Sequence, residues 1–214
     1  MLHPDTELGV VSAEIGVGIF ATRRIPQGTI VYIKDPLEIE IAPNDPRLQD
    51  TEMRHIVDRY AYVEPGGAHV ISWDLAKYMN HSCEANSMST GYGFEIALRD
   101  IQAGEQITDE YGLFNMEKNM HCGCGADMCR GWIRQDDAER YSNVWDTRVR
   151  LALEEYLLVS QPLEHLLAPA IGRQLRYFLK TGQTYVSVSQ LRYRPREVEI
   201  TGGFDELSTA PGVG

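Results

Sequence analysis

Two short strings hold most of the residues equipped for chemistry: NHSCEAN at 80–86 and HCGCGADMCRGW at 121–132. Every cysteine of the chain falls inside them, at Cys83, Cys122, Cys124 and Cys129. Three soft ligands within eight residues, joined by a fourth from a separate turn, form the pattern of a tetrahedral thiolate zinc site. Four protein ligands leave no position open to water or substrate, so such a metal is structural. Read alone, Cys83 is equally a buried thiol. Asn80 and His81, just before it, suit a turn cap or a buried polar pair as well as a ligand role. Four sulfurs already satisfy the metal, so His81 is expected to support the site. Between the two strings lies GEQITDEYG, which carries Tyr111.

Composition bounds what can position these residues. At 214 residues, with 43% hydrophobic and 24% charged, the chain suffices for one well-buried domain with a smaller appendage. No apolar run reaches the ~20 residues of a membrane span, and the start lacks a basic segment followed by a long apolar one. A soluble, cytoplasmic protein is expected. Cys122 and Cys124 are too close for an easy mutual disulfide, which also fits a reducing compartment. The net charge of -11 repels phosphate backbones and attracts cationic partners, although solubility explains it equally well.

The pattern along the chain is mainly β with α insertions. Residues 9–41 alternate apolar and polar groups between turn signals at Gly16/Gly18 and Pro26-Gln27-Gly28, which predicts antiparallel strands. Gly16-Val17-Gly18 is too short for a dinucleotide fingerprint, and on its own it is a hairpin turn. Residues 46–58 read as a helix with Pro46 at its start. Strands follow at 60–63, at 68–73 and over about 86–99, where Phe94, Ile96 and Leu98 alternate. Residues 136–160 carry Trp145, Val149, Ala152 and Tyr156 on one helical face. A second helix begins at Pro162 and is divided near Pro169 and Gly172. Residues 184–193 suit a strand or an extended arm, and 201–214 a flexible tail. The basic residues Arg173, Arg176, Lys180, Arg192, Arg194 and Arg196 favour a solvated helix face over a partner surface.

Four stretches, GVGIFATRRIPQGTIV, NHSCEAN, GEQITDEYG and CGCGADMCRG, stand in the order and at about the spacings of the SET-domain protein-lysine methyltransferases. The last resembles their post-SET zinc segment, and the likeness spans about residues 9–133. It implies a β-clip-like SET fold in which the tyrosine segment threads beneath the NHSC loop as a pseudoknot. The domains would be a SET domain over 1–119, with an inserted helical segment at about 44–58, and a post-SET zinc segment over 120–134. A helical C-terminal extension over 135–200 and the tail follow.

The resemblance also implies roles. Gly16, Val17, Gly18, Asn80, His81, Tyr111 and Trp132 would bind S-adenosylmethionine, Tyr111 being catalytic, and Cys83, Cys122, Cys124 and Cys129 would hold zinc. Tyr60 and Tyr62 would wall the substrate channel, although alternating tyrosines on a strand also suit ordinary packing. Asp109 stands where many relatives carry Phe or Tyr and control the number of methyl groups added, and Glu110 replaces a frequent Asp. The substrate would be lysine in a histone or other basic protein. Methyl transfer needs nitrogen, methyl and sulfur in line and a neutral amine, whose unperturbed pKa is ~10.4. Desolvation beside a sulfonium favours that proton loss. The competing expectation is a catalytically silent SET-like peptide-binding module. Self-association through the helical end stays open, and the place of action becomes nuclear for a eukaryotic source or a host-chromatin target.

Overall fold

The computed structural model describes residues 1–193. The 201–214 tail and Arg194 and Arg196 lie outside them. Alternation and the glycine turn produce a hairpin of β1 (Thr6–Ser12) and β2 (Gly16–Ala21), with Thr6 opposite Ala21. Gly16 enters β2 at a φ of 87°, a conformation that a Cβ disfavours. Next come β3 (Ile30–Ile33) and β4 (Ile39–Ile41), then a 3-10 turn at Pro46–Leu48 and α1 (Thr51–Tyr60). The expected 46–58 helix is therefore split. Asp50 ends the extended link and caps α1 by accepting from the Met53 N–H. Tyr60 closes α1 and does not open a strand, because the chain turns extended only at Ala61.

The remaining strands are short: β5 (Ala61–Val63), β6 (His69–Ile71), β7 (Asn80–His81), β8 (Ser87–Ser89), β9 (Phe94–Ala97) and β10 (Gln106–Asp109). A ribbon of β11 (Met120–His121) and β12 (Trp132–Ile133) frames the cysteine loop. The larger sheets run β1-β2-β10-β7, β3-β9-β8 and β4-β6-β5. Every pairing is antiparallel except β10 with β7, which sets Thr108 beside Asn80 and Asp109 beside His81. The loop after β7 closes over β10: the Ser82 N–H donates to the Asp109 carbonyl at 3.2 Å and the Ser87 hydroxyl to the Thr108 carbonyl at 3.0 Å. This is the enclosure that the expected threading requires.

The C-terminal helices, α2 (Asp137–Glu155) and α3 (Pro169–Thr181), cover the β3-β9-β8 sheet. Trp145, Val149, Ala152 and Tyr156 are all buried, as their spacing predicts, and pack with Ile30, Met88, Phe94 and Ile96. Pro169 divides the segment from Pro162 by starting α3, where its missing N–H is tolerated, and Gly182 ends α3 at a φ of 69°. A second core under the four-stranded sheet holds Ile19, Ile25, Ile101 and Ile107, and a small third one seats α1.

Residues 184–193 form no strand. The Asp146 carboxylate on α2 accepts from the Tyr185 hydroxyl at 2.8 Å, the Ser187 hydroxyl at 2.6 Å and the Val188 N–H at 2.8 Å, so this segment bonds to a helix and ends in a 3-10 turn at Val188–Leu191.

Trp145→Ala is expected to lower the unfolding free energy by about 3–5 kcal/mol through the cavity it leaves, measured by urea denaturation.

Candidate active site

Tyr111 stands where β10 ends and begins a 3-10 turn, Tyr111–Leu113, whose Gly112 N–H donates to the Glu110 carboxylate at 2.9 Å. Its hydroxyl donates to the Met79 carbonyl at 2.6 Å. Its ring lies 5.0 Å from that of Phe114 and 5.4 Å from that of His81. Burial raises the phenol's pKa, with Asp109 and Glu95 adding to the effect, so the group remains a protonated donor and is no base at neutral pH.

The ring of Tyr111 faces a cavity of about 360 Å³ whose aromatic wall is Tyr60, Tyr62, Tyr111 and Phe114, with Met79 among the lining. Both predicted channel tyrosines therefore line it. Tyr62 packs 5.7 Å from Phe114, and Tyr60 meets Tyr78 edge-on at 5.7 Å. Asp109 does not line the cavity: it is fully buried, and one carboxylate oxygen accepts from the Glu110 N–H at 2.6 Å. The rim carries Arg54, Arg59, Lys77 and Lys118 with Asp58 and Glu117, so the net negative charge is not concentrated there.

The expected cofactor residues divide into two places. The Asn80 amide donates to the Val17 carbonyl at 2.9 Å, holding the glycine loop against β7. A Cβ on Gly18 would come within 2.8 Å of that amide nitrogen and displace it. Around Gly16 there is open space. Of the glycine loop, Asn80, His81 and Tyr111, only Tyr111 lines either of the two cavities. Trp132 stands apart, half exposed, edge-on to His121 at 5.4 Å, and lines neither cavity found among the described residues.

Folding gathers the cysteines from two distant stretches. The donor atoms of His81, Cys83, Cys122 and Cys124 all lie within 4.8 Å of one another. Cys129 falls outside that quartet; its thiol donates to the Cys122 carbonyl at 3.7 Å and accepts from the Gly131 N–H at 3.4 Å. Burial raises the Cys83 and Cys122 thiols, whereas at Cys124 burial is outweighed by the N–H groups of Cys83 and Ala126, which bring it to about 7. A thiolate is thus accessible near neutral pH, and the sulfur-rich donor set fits zinc. The His81 ring is engaged at both ends: Nδ1 lies 3.0 Å from the Asp109 carbonyl and Nε2 3.4 Å from the Cys83 sulfur. Burial, then the charge of Arg130, holds His81 down to about 4, so it is neutral at pH 7.

Sequence reasoning missed four residues here. Arg130 donates to the buried Glu110 carboxylate at 2.6 Å, and its guanidinium lies over the rings of Tyr141 and Trp145 at 5.1 and 5.7 Å. Phe114 and Tyr32 line the cavity. Glu95 lines it too, although strand alternation sets it opposite Phe94 and Ile96; both faces of β9 are buried, so that opposite side is an internal wall. Only the position of Phe114 next to the tyrosine motif offered a signal.

A strand enclosed beneath an Asn-His loop, ending in a buried tyrosine beside a thiolate cluster, is the arrangement of a SET fold. Residues 16–112 match the family model described as SET domain. Its curated relatives include Histone-lysine N-methyltransferase 2D of Homo sapiens, 31% identical over 134 residues, which cover 55% of this chain and 2% of that protein. Histone-lysine N-methyltransferase trr of Drosophila melanogaster is 28% identical over 134 residues, 55% and 5% of the two chains. The Variant-silencing SET domain-containing protein of Plasmodium falciparum is 27% identical over 149 residues, 60% and 6%. The match therefore spans a small part of each relative. Among the described residues, no helix is long and apolar enough to cross a membrane.

Two outcomes test this geometry. Arg130→Met strands the buried Glu110 carboxylate, so urea unfolding should lose about 3–5 kcal/mol, and pairing it with Glu110→Leu should recover most of that. Burial raises the Asp109 carboxyl from 3.8 to about 7, so the folded state holds that proton more tightly than the unfolded chain. The stability this contributes is complete below pH ~4 and is lost as pH rises to ~7. The stability of Asp109→Asn relative to the native chain should therefore increase over that window and level off above it.

Proposed function

We propose that this chain transfers a methyl group from S-adenosylmethionine to a lysine side chain of a protein substrate. The observation that carries the proposal is the Tyr111 hydroxyl bonded to the Met79 carbonyl on an aromatic-walled cavity. Gly16, Val17, Gly18, Asn80 and His81 would hold the cofactor. Bound there, it supplies an electrophilic methyl on a sulfonium. Tyr60, Tyr62, Tyr111 and Phe114 exclude water from the target side chain and align it, which favours the neutral amine. The phenol of Tyr111, kept protonated by its surroundings, and the Met79 carbonyl provide a donor and an acceptor that orient the reacting groups.

Cys83, Cys122, Cys124 and Cys129 would hold structural zinc, with His81 supporting Cys83. The metal's role is to fix the 120–134 loop against the NHSC turn. The relatives' names bring histones forward as substrates, and with them a nuclear place of action. The silent-module reading rested on the altered Asp109-Glu110 neighbourhood. Both side chains are buried away from the cavity lining, and Glu110 is paired with Arg130, which favours the enzyme.

Labelled methyl from S-adenosylmethionine should appear on lysine in a panel of core histones and other basic proteins. Tyr111→Phe should lower the rate by about 100-fold or more while retaining cofactor binding by calorimetry. Absence of both labelling and cofactor binding in folded, zinc-loaded protein would overturn the proposal. Metal analysis should find zinc that Cys129→Ser releases to a chelator and His81→Ala retains; the reverse pattern would make the histidine the ligand.

A further inference from the structure

A second cavity, of about 220 Å³, shares Tyr32, Tyr62, Val63, Glu95 and Phe114 with the first, so these five residues are the partition between them. Glu95 is the one carboxylate on both sides of that partition. It sits on β9 between Tyr32 of β3 and Ser89 of β8 and is only 6% exposed. Its carboxyl meets that of Asp109, and neither Glu95 nor Asp109 has an ion-pair partner among the described residues. One oxygen of each carboxyl lacks a donor. The nearest candidate cation on the second cavity, Lys34, is taken by Glu40 and Glu64, each at 2.7 Å. Two buried acids with no salt-bridge partner among the described residues, Glu95 feeling the Met1 ammonium only at longer range, suit a cation that arrives with the substrate.

We propose that Glu95 contacts the substrate amine, accepts its N–H and releases the proton into the second cavity. This rests on the methyl-transfer reading above. The ammonium N–H bond breaks with its electron pair left on nitrogen, and the Glu95 carboxylate becomes the acid. Water in the second cavity, whose lining includes Ser89, Thr90 and the Lys34–Glu64 pair, then takes the proton and restores the carboxylate. The amine is thereby neutral on the cavity side that Tyr111 faces. Burial, with Asp109 adding to it, raises the proton affinity of Glu95 and narrows its gap to an ammonium. The titratable and charged groups acting on Glu95 are Asp109 of β10, Tyr32 of β3, Tyr62 of β5 and Tyr111, with Lys34 and Glu64 across the second cavity and the Met1 ammonium and Asp74 at longer range.

Glu95→Gln preserves the shape and removes the acid. The first measurement is an NMR titration of both proteins with n-butylammonium and, as a neutral probe of similar size, 1-pentanol. The native chain should bind the cation at least tenfold more tightly than the alcohol, and the variant should lose that preference while binding the alcohol as before. No preference in the native chain, or an unchanged one in the variant, overturns the proposal whether or not methyl transfer is found. The second measurement follows methyl transfer to core histones from pH 6 to pH 10. The variant should be at least tenfold slower at pH 7 and should approach the native rate by pH 10, where the amine loses its proton unaided. An equal loss at every pH would mark a structural role and overturn the proposal. Absence of transfer by the native chain counts against the methyl-transfer reading, and the titration still decides whether Glu95 is a cation site.

Discussion

The buried pair between Arg130 and Glu110 ties together distant parts of the chain. Glu110 precedes Tyr111, and Arg130 follows the last cysteine. The Arg130 N–H also donates to the Cys83 sulfur at 3.3 Å, and its guanidinium rests on Tyr141 and Trp145 of α2. One side chain therefore links the tyrosine strand, the cysteine loop and the C-terminal helix. A guanidinium suits the role because it stays charged when buried and offers a planar face to aromatic rings as well as donors to a carboxylate. Arg148 adds a second tie from α2, donating to the Ala85 carbonyl of the NHSC loop at 2.6 Å.

The fold around this junction solves a topological problem. The Tyr111 ring must face a cavity while its backbone stays paired, and β10 achieves this by lying between β2 and β7 beneath the 82–87 loop. Asn86 serves both strand and loop, its amide donating to the Gln106 carbonyl at 2.8 Å and its side-chain oxygen accepting from the Thr108 N–H at 2.9 Å. Backbone groups that the short strands leave unpaired are thus satisfied by side chains from the enclosing loop. The same loop delivers Cys83 to the sulfurs of the 120–134 segment, so the placing of Tyr111 and the gathering of the cysteines depend on one turn.

Charge is distributed less simply than the net value suggests. The rim of the larger cavity mixes basic and acidic groups, and two buried acids, Glu95 on its wall and Asp109 behind it, have no salt-bridge partner among the described residues. Attraction of a cationic side chain would therefore act at short range, within a wall of low polarisability where Coulomb terms are strong. A diffuse field over the surface, screened within about a Debye length, would contribute encounter and solubility more than selectivity.

The motifs were legible without coordinates because they are local. Cysteine spacing reported the soft-ligand cluster, the 4-3-4 spacing of Trp145, Val149, Ala152 and Tyr156 reported a buried helix face, and the glycine turn reported the first hairpin. The likeness of four co-ordered stretches to a known family supplied the expectation of the threaded fold, which no periodicity could reveal. Only the tertiary structure decided which groups meet across long separations. His81 joined the tightest donor quartet and Cys129 stood just outside it; Asp109 lay behind the cavity; Trp132 stood off from the glycine loop. Glu95, on the strand face opposite Phe94 and Ile96, is a partition between two cavities because both faces of its strand are covered. Alternation tells which residues share a face. What covers that face is set by elements far along the chain.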